Sequence, residues 1–527
     1  MSVPDEVSQF LLDGQASAAE IRAAVAAAAD AHGVSWAADG QARSLRRTWL
    51  DTFDWRLYRA GLTLEQVSRK GAAELVLTGR DGGLIATERV PAGALPGWPA
   101  LAATLPPGPV REAVEPAAGI RALAPVARVT STVTGLRALN DDAKTVARLA
   151  LDRMAVTLPL TVSGPARLTL SPVRGYGGIT DRVSRAIGTL PGIHRARGSA
   201  LDAALAASGQ LPGQLPGKAR AVPLSPAMPA ATALAAILSA LLDAIEINVP
   251  GTVRDVDTEF LHDLRIAVRW SRSALKLCGS ALPGDLAARY APEFRWLGDL
   301  TTPTRDLDVY LLGLGDMAAG LVAATAADLD PFRAHLEQSR AREYRRLAAG
   351  LRSARFARLV ASWRAELDSV RPARKRRSVA VLATERITAA QRKAVRTGSV
   401  ITASSPPQAL HDLRKRCKEL RYLVEMFGSL HDAREHWQAV RELKALQNCL
   451  GAFQDAEVER SEIGMFAVQM HADRQVPAAT LLAMGEIAAG LARRQQAARG
   501  EFAGRFADFA SEASQDRLTR LARTGLA

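Results

Sequence analysis

The sequence is poor in the residues that usually anchor redox chemistry, stacking or a membrane. Its three cysteines, Cys278, Cys417 and Cys449, are odd in number, far apart and without a CxxC pair, so neither a disulfide framework nor a zinc site is expected. No GxSxG, Walker or HExxH pattern appears, and no catalytic residue is nominated. Aromatic residues make up only 5%, and the basic segments lack the interleaved rings on which single-strand nucleic-acid binders stack bases. The longest apolar run, 229–242, stops at Asp243, short of a bilayer span, and reads as a core helix, so no membrane partner is expected. The opening MSVPDEVSQFLLDG places acids where a signal peptide needs positive charge. Together with the cysteines this favours a reducing, cytoplasmic location.

Alanine, leucine and arginine are abundant, which favours helix. At 527 residues the chain is too long for one core, and with 48% apolar residues it can fill two or three. The formal charge is +14, and between Arg371 and Arg421 there are 14 Lys or Arg against three acids, Glu385, Asp412 and Glu419. Such concentration points to a polyanionic partner.

The expected fold class is α+β. Residues 1–205 alternate in short runs such as Glu74–Thr78 and Ala166–Leu170, with helical patterns at 18–31 and 181–187. Residues 206–229 have linker composition. Long helical patterns then fill 230–370 and 371–527, meeting at Pro372 and the run Arg374–Arg377, and the spacing predicts breaks between 300 and 305 and between 450 and 455.

These last two segments are copies. His262-Asp263-Leu264-Arg265 recurs as His411-Asp412-Leu413-Arg414, and the same offset of 149 residues carries Arg272 onto Arg421, Gly279 onto Gly428, Glu293 onto Glu442, Leu297 onto Leu446 and Asp306 onto Asp455. On a helix, His262, Arg265, Arg269, Arg272 and Lys276 fall within an arc of about 80°. His411, Arg414, Lys418 and Arg421 take the same arc, with Lys415 at its flank. Like charges at i,i+3 and i,i+4 repel by a few tenths of a kcal/mol each, so such a stripe suits an anion lying along it. No second His or Cys stands one turn from His262, so no metal is expected there. Asp306 and Asp455 are read as helix-starting acids or as partners of a stripe arginine.

The stretches LHDLRIAVRWSRSALKL, RDLDV, ALHDLRKRCKELRYLVEMF and LQNCLGAFQDAEV resemble the CHAD family, the conserved-histidine α-helical domain. That resemblance implies two four-helix bundles related by a pseudo-two-fold, and a basic groove binding inorganic polyphosphate through the ten stripe residues named above. Two departures stand out: Thr302 faces Gly451 at the repeat offset, and Trp270-Ser271 replaces a commonly basic step. More faintly, TWLDTFDWRLYRAGLTLE, AKTVARLALDRM and LSPVRGYG resemble the CYTH, or triphosphate-tunnel, fold, which implies an N-terminal antiparallel β-barrel. Its metal-holding ExExK strand is missing: the region reads PDEVSQFLL, Asp5 and Glu6 cannot share one strand face, Gln9 stands where the lysine belongs, and Leu64-Glu65 replaces a Leu-Arg pair.

The expectation is therefore a non-catalytic polyphosphate-binding protein without cofactor, resident on polyphosphate granules. The alternatives are a CYTH-type triphosphatase or phosphohydrolase and, less favoured, a nucleic-acid binder.

Overall fold

The computed structural model describes residues 7–12, 18–30, 33–69, 72–196, 198–213, 222–371, 377–472 and 476–523. The chain divides into two compact units, Met1–Pro216 and Gly217–Ala527. The acids Asp5 and Glu6 and the seam residues 372–376 lie outside the described residues.

The first unit runs β1 (Ser8–Leu12), α1 (Ala18–Asp30), β2 (Ser35–Ala38), β3 (Arg43–Thr52), α2 (Arg56–Arg59), β4 (Leu62–Arg69), β5 (Ala72–Gly79), β6 (Leu84–Pro91), β7 (Ala100–Leu101), α3 (Pro109–Ala118), β8 (Ala122–Leu139), β9 (Thr145–Leu158), β10 (Val162–Pro172), α4 (Gly177–Gly188), β11 (Ile193–Arg195) and α5 (Ala200–Ala207). The strands form one antiparallel sheet in the order β11-β1-β10-β9-β8-β3-β4-β5-β6, with β2 and β7 pairing on β8. This corrects the expected barrel: among the described residues β6 and β11 remain separate ends of an open sheet. Closure needs two edges that can run side by side, and β11 offers three residues against the eight of β6.

Period-two alternation divides the sheet's apolar residues between its faces. Leu149, Leu168 and Leu170 pack with Val25 of α1 and Val183 and Ile187 of α4. From the other side Trp49, Val129, Met154 and Val156 are covered by Leu201, Ala204 and Leu205 of α5.

The second unit is helical: α6 (Ala230–Val253), α7 (Thr258–Cys278), α8 (Leu286–Ala319), α9 (Asp330–Leu351), α10 (Ala354–Ser369), then α11 (Val379–Gly398), α12 (Pro407–Met426), α13 (Ala433–Ala472), α14 (Ala478–Ala510) and α15 (Glu512–Arg523). The predicted breaks near 300 and 450 are absent, since α8 and α13 run through them for 34 and 40 residues. Pro303 does cost α8 a ladder hydrogen bond. Burial of Leu297, Leu307 and Tyr310 to either side holds the helix through it.

The duplication is visible in hydrogen bonds. Ala230 N donates to Arg377 O at 2.9 Å, and Val379 N donates to Met228 O at 2.8 Å. The 149-residue offset maps 228 and 230 onto 377 and 379, so each bond is the image of the other, as a local two-fold requires. The cores do not divide repeat by repeat. One apolar cluster draws on α6, α7, α11, α12 and their neighbours together. A second joins Leu307, Tyr310 and Leu314 of α8 and Phe332 of α9 to Ile463 of α13 and Met484 and Ile487 of α14. Neither copy therefore owns its core. By length and composition α6 could cross a bilayer, since it extends past Asp243 to Val253, but 56% of its most apolar window is buried within this unit.

Candidate functional site

Helix α7 starts where Asp257 accepts hydrogen bonds from Glu259 N and Phe260 N, and α12 starts on Pro407, whose fixed φ suits a first helical position. Leu264, Val268 and Ala274 of α7, and Leu413, Leu420, Leu423 and Val424 of α12, are buried; Ile266 is only half-buried. Burying these faces turns the His, Arg and Lys positions outward.

In the first copy Arg265 donates to Thr302 Oγ1 at 2.7 Å and Thr301 Oγ1 at 3.2 Å and stands 4.0 Å from Asp306. His262 is half-buried, and Arg269 and Arg272 are exposed. Arg272 reaches α8 at Gly298, where an added Cβ would lie 2.6 Å from its Nη1, so a larger residue there would push the guanidinium aside. Lys276 pairs with Glu419 of α12 at 2.7 Å.

In the second copy Arg414 pairs with Asp455 at 2.9 Å, lying across Gly451, where an added Cβ would meet Nη1 at 2.5 Å. The Thr302/Gly451 departure thus falls on equivalent contacts, a hydroxyl acceptor in one copy and open backbone in the other. His411 Nδ1 is 2.6 Å from Gln454 Oε1, and Lys415 is exposed, 3.4 Å from Asp412. Arg421 lies 3.8 Å from Glu425 and over the Tyr422 ring, with its Nε buried and unpartnered. Asp306 and Asp455 sit inside α8 and α13 as partners of stripe arginines. They do not start helices.

The stripes meet. Trp270 and Tyr422 pack with ring centroids 5.4 Å apart and planes tilted by 54°, and Lys276 bridges to Glu419, so α7 and α12 lie side by side. A cleft of about 580 Å³ opens along them, lined by Arg269, Arg272 and Lys276 of α7, Arg295 of α8, and Lys418 and Tyr422 of α12, without an acid in its lining. Arg295 was not anticipated. Its repeat mate is Lys444, a match in charge that identity matching passes over.

Crowding shows in the protonation equilibria. Burial, with Arg414, Arg269 and Arg421 adding repulsion against only Asp455, lowers the Lys418 ammonium to about 8. Arg269 belongs to the opposite stripe, so the two faces share one field. Burial lowers Arg265 to about 10 despite Asp306, with Arg269, Arg305 and Arg272 pushing the same way. Burial also raises the Asp306 carboxyl although Arg265 opposes it.

The sheet of the first unit treats its cations differently. Arg47 is held by Glu65 and, at 2.8 Å, by Asp152. Arg167 donates to Gln9 Oε1 and, at 2.8 Å, to Gly198 O. Gln9 and Glu65, the departures from the tunnel pattern, are thus partners of these two arginines. Among the described residues no group of three or more His, Cys, Asp or Glu is placed to hold a metal ion.

By class this is a duplicated helical bundle in which two helices converge their cationic faces on a cleft without acids in its lining. Residues 236–464, which contain both stripes, match the family model of the CHAD domain, and this part of the chain is a CHAD domain. A solved CHAD domain from the plant Ricinus communis is similar at 23% identity and a TM-score of 0.47, covering 57% of this chain and 99% of its own. PptA from Streptomyces chartreusis is similar at 19% identity and a TM-score of 0.40, covering 53% of this chain and 99% of its own. A Bacillus halodurans protein described as a candidate adenylate cyclase is similar at 14% identity and a TM-score of 0.27, over 37% of this chain and 94% of its own. No curated protein matches the chain.

Proposed function

We propose that the CHAD domain binds inorganic polyphosphate along the cleft between α7 and α12 through His262, Arg265, Arg269, Arg272, Lys276, His411, Arg414, Lys415, Lys418 and Arg421, joined by Arg295. The observation that carries this reading is the apposition of Arg269 and Lys418 from opposite stripes in a cleft without acids. Folding alone has no use for that crowding, whereas a phosphate row neutralises it. The association of CHAD domains with polyphosphate agrees. The same residues would place the protein on cytoplasmic polyphosphate granules.

Binding of this kind releases counterions. Six phosphate contacts give a slope of roughly −4 in log K against log salt on the single-strand relation of about −0.7 per contact. Titration of the full chain with long-chain polyphosphate at four salt concentrations measures it, and a slope near zero overturns the reading. Competition with DNA at one fixed salt decides the nucleic-acid alternative. Trp270 and Tyr422 are the aromatic residues along the stripes and they pack against each other at a tilt of 54°, which leaves few platforms for bases.

In this reading the first unit is not an enzyme. Its interior arginines are engaged by Glu65, Asp152 and Gln9, and two-metal phosphoryl chemistry needs carboxylates free to hold metal. The expected result is no hydrolysis of tripolyphosphate or ATP with magnesium or manganese. Turnover abolished by Asp5→Asn/Glu6→Gln would overturn this part alone.

A further inference from the structure

We infer a second anion site, separate from the stripes, in the cleft between α11 and α15. It has a volume of about 530 Å³ and is lined by Arg392 and Arg396 of α11, Arg523 of α15 and the threonines 384, 388 and 519, with no acid in its lining. Among the described residues none of the three arginines is paired with a carboxylate. The volume is that of a small-molecule pocket.

The floor of the cleft is fixed in advance. Gln391 is 7% exposed, and its Nε2 donates to Gln515 O and Gln515 Oε1 at 3.1 and 3.0 Å. Thr384 donates to Ala522 O, which with the Gln391 bonds ties α11 to α15, and Gln515 Nε2 donates to Phe509 O of α14 at 2.6 Å. A polar floor whose bonds are already made costs little further ordering when a ligand arrives.

The duplication supplies an internal control. In the first copy α10 packs on α6 as α15 packs on α11. The positions 149 residues before Gln391, Arg392 and Val395 are Leu242, Asp243 and Glu246. Leu242 is core, and Asp243 and Glu246 hold Arg364 of α10, closing the junction with an internal ion pair. The second copy has reversed the charge at one of these positions, removed it at another and replaced the leucine with an amide. Three guanidinium groups without a carboxylate partner remain where the first copy sets two acids on one arginine.

The chemistry selects the ligand class. Planar guanidinium forks recognise phosphate oxygens, and no aromatic side chain lines the cleft to stack a nucleobase. The site takes a compact molecule bearing two or more phosphates, for which inorganic pyrophosphate is the probe.

The test is calorimetric titration of the full chain with pyrophosphate, comparing wild type with Arg392→Asp/Val395→Glu, which installs the acids of the first copy. Pyrophosphate binding should weaken at least about tenfold, as loss of a charge-assisted contact and its reversal to repulsion require, while the salt slope for long-chain polyphosphate stays unchanged. The same loss should appear in an Arg269→Ala/Lys418→Ala background, where the stripe cleft contributes less. The milder Arg396→Ala, on an exposed position, should give a smaller loss with unaltered melting, which guards against misfolding of the first variant. Unchanged pyrophosphate affinity in Arg392→Asp/Val395→Glu overturns the site, whatever the fate of the stripe reading. Equal losses of pyrophosphate and long-chain polyphosphate would also overturn it, by making the cleft an extension of the first site.

Discussion

The sheet and the helical unit both bring arginines together, and they differ in what answers the charge. In the sheet Arg47 has Glu65 and Asp152, and Arg167, hydrogen-bonded to the neutral Gln9 amide, feels the opposing charges of Asp152 and Asp202. Along α7 and α12 the counter-charges sit at the ends of the stripes, Asp306 on Arg265 and Asp455 on Arg414, while Arg269 and Lys418 face each other across the cleft. A compensated cation holds a fold together. An uncompensated one stores repulsion that a ligand can release.

The largest expected effect breaks the uncompensated side. Arg269→Ala/Lys418→Ala should weaken long-chain polyphosphate binding by about 2–3 kcal/mol at low salt, the scale of hydrogen bonds to charged groups, which is roughly 30–150-fold. The salt slope should become shallower by about 1.4. Removing mutual repulsion should leave melting unchanged or raised, so a fall of several degrees would mean that the stripe is a structural network.

The opposite edit belongs to the sheet. Glu65→Ala leaves Arg47 with Asp152 alone, and both members of the lost pair are mostly buried, with side-chain exposures of 17% and 14%. Breaking a buried pair by removing one partner costs about 3 kcal/mol, which urea unfolding followed by tryptophan fluorescence would report through Trp49. A change below about 0.5 kcal/mol would mean that solvent already screens the pair.

Lys418 sharpens the comparison because its cost has a sign in pH. Its folded value is lowered from 10.5 to about 8, so below pH 8 both states are protonated and the folded state carries the full penalty. Between pH 8 and 10.5 the folded state gives up the proton first and stability rises. Lys418→Met should therefore stabilise the protein at pH 7 by about 1–2 kcal/mol after discounting for partial exposure, and that advantage should vanish by pH 10.5. Polyphosphate favours the charged amine, so binding near pH 9 should take up a proton. Calorimetry in two buffers of different ionisation enthalpy measures that uptake, and its absence would place the anion away from Lys418.

What the sequence revealed followed from periodicity. The 149-residue offset and the arc from His262 to Lys276 were legible because each is a local rule applied twice. The barrel was not legible, since closure depends on how far β11 and β6 reach. The breaks expected in α8 and α13 came from Thr-Pro-Thr-Arg-Asp and Gln-Asp-Ala-Glu, which look like helix starts, and long-range burial overrode them. The sharing of cores between copies left no trace in either copy alone. Arg295 was hidden by a substitution for lysine in its mate, and the α11/α15 cleft by the distance in sequence between Arg392 and Arg523.

The smallest effect tests whether the two copies still differ where they diverged least. Thr302→Gly removes the hydroxyl that accepts from Arg265 at 2.7 Å and donates to Gly298 O at 2.8 Å. The loss is about 1 kcal/mol for the bond to Arg265, plus a few tenths for glycine inside a helix. Gly451→Thr is not its mirror. The new Cβ meets the Nη1 of Arg414 at 2.5 Å, the movable end of a long side chain, so the guanidinium shifts from Asp455, whose side chain is 59% exposed. Arg414 is itself only 15% exposed, but its carboxylate partner is solvated, so giving up the pair costs about 0–1 kcal/mol, and the gain in helix propensity offsets a few tenths of it. Thr302→Gly should thus destabilise by about 1–1.5 kcal/mol in urea and Gly451→Thr by less than about 0.5. Equal costs would mean that the hydroxyl does not hold Arg265, and the copies would then be interchangeable at this position.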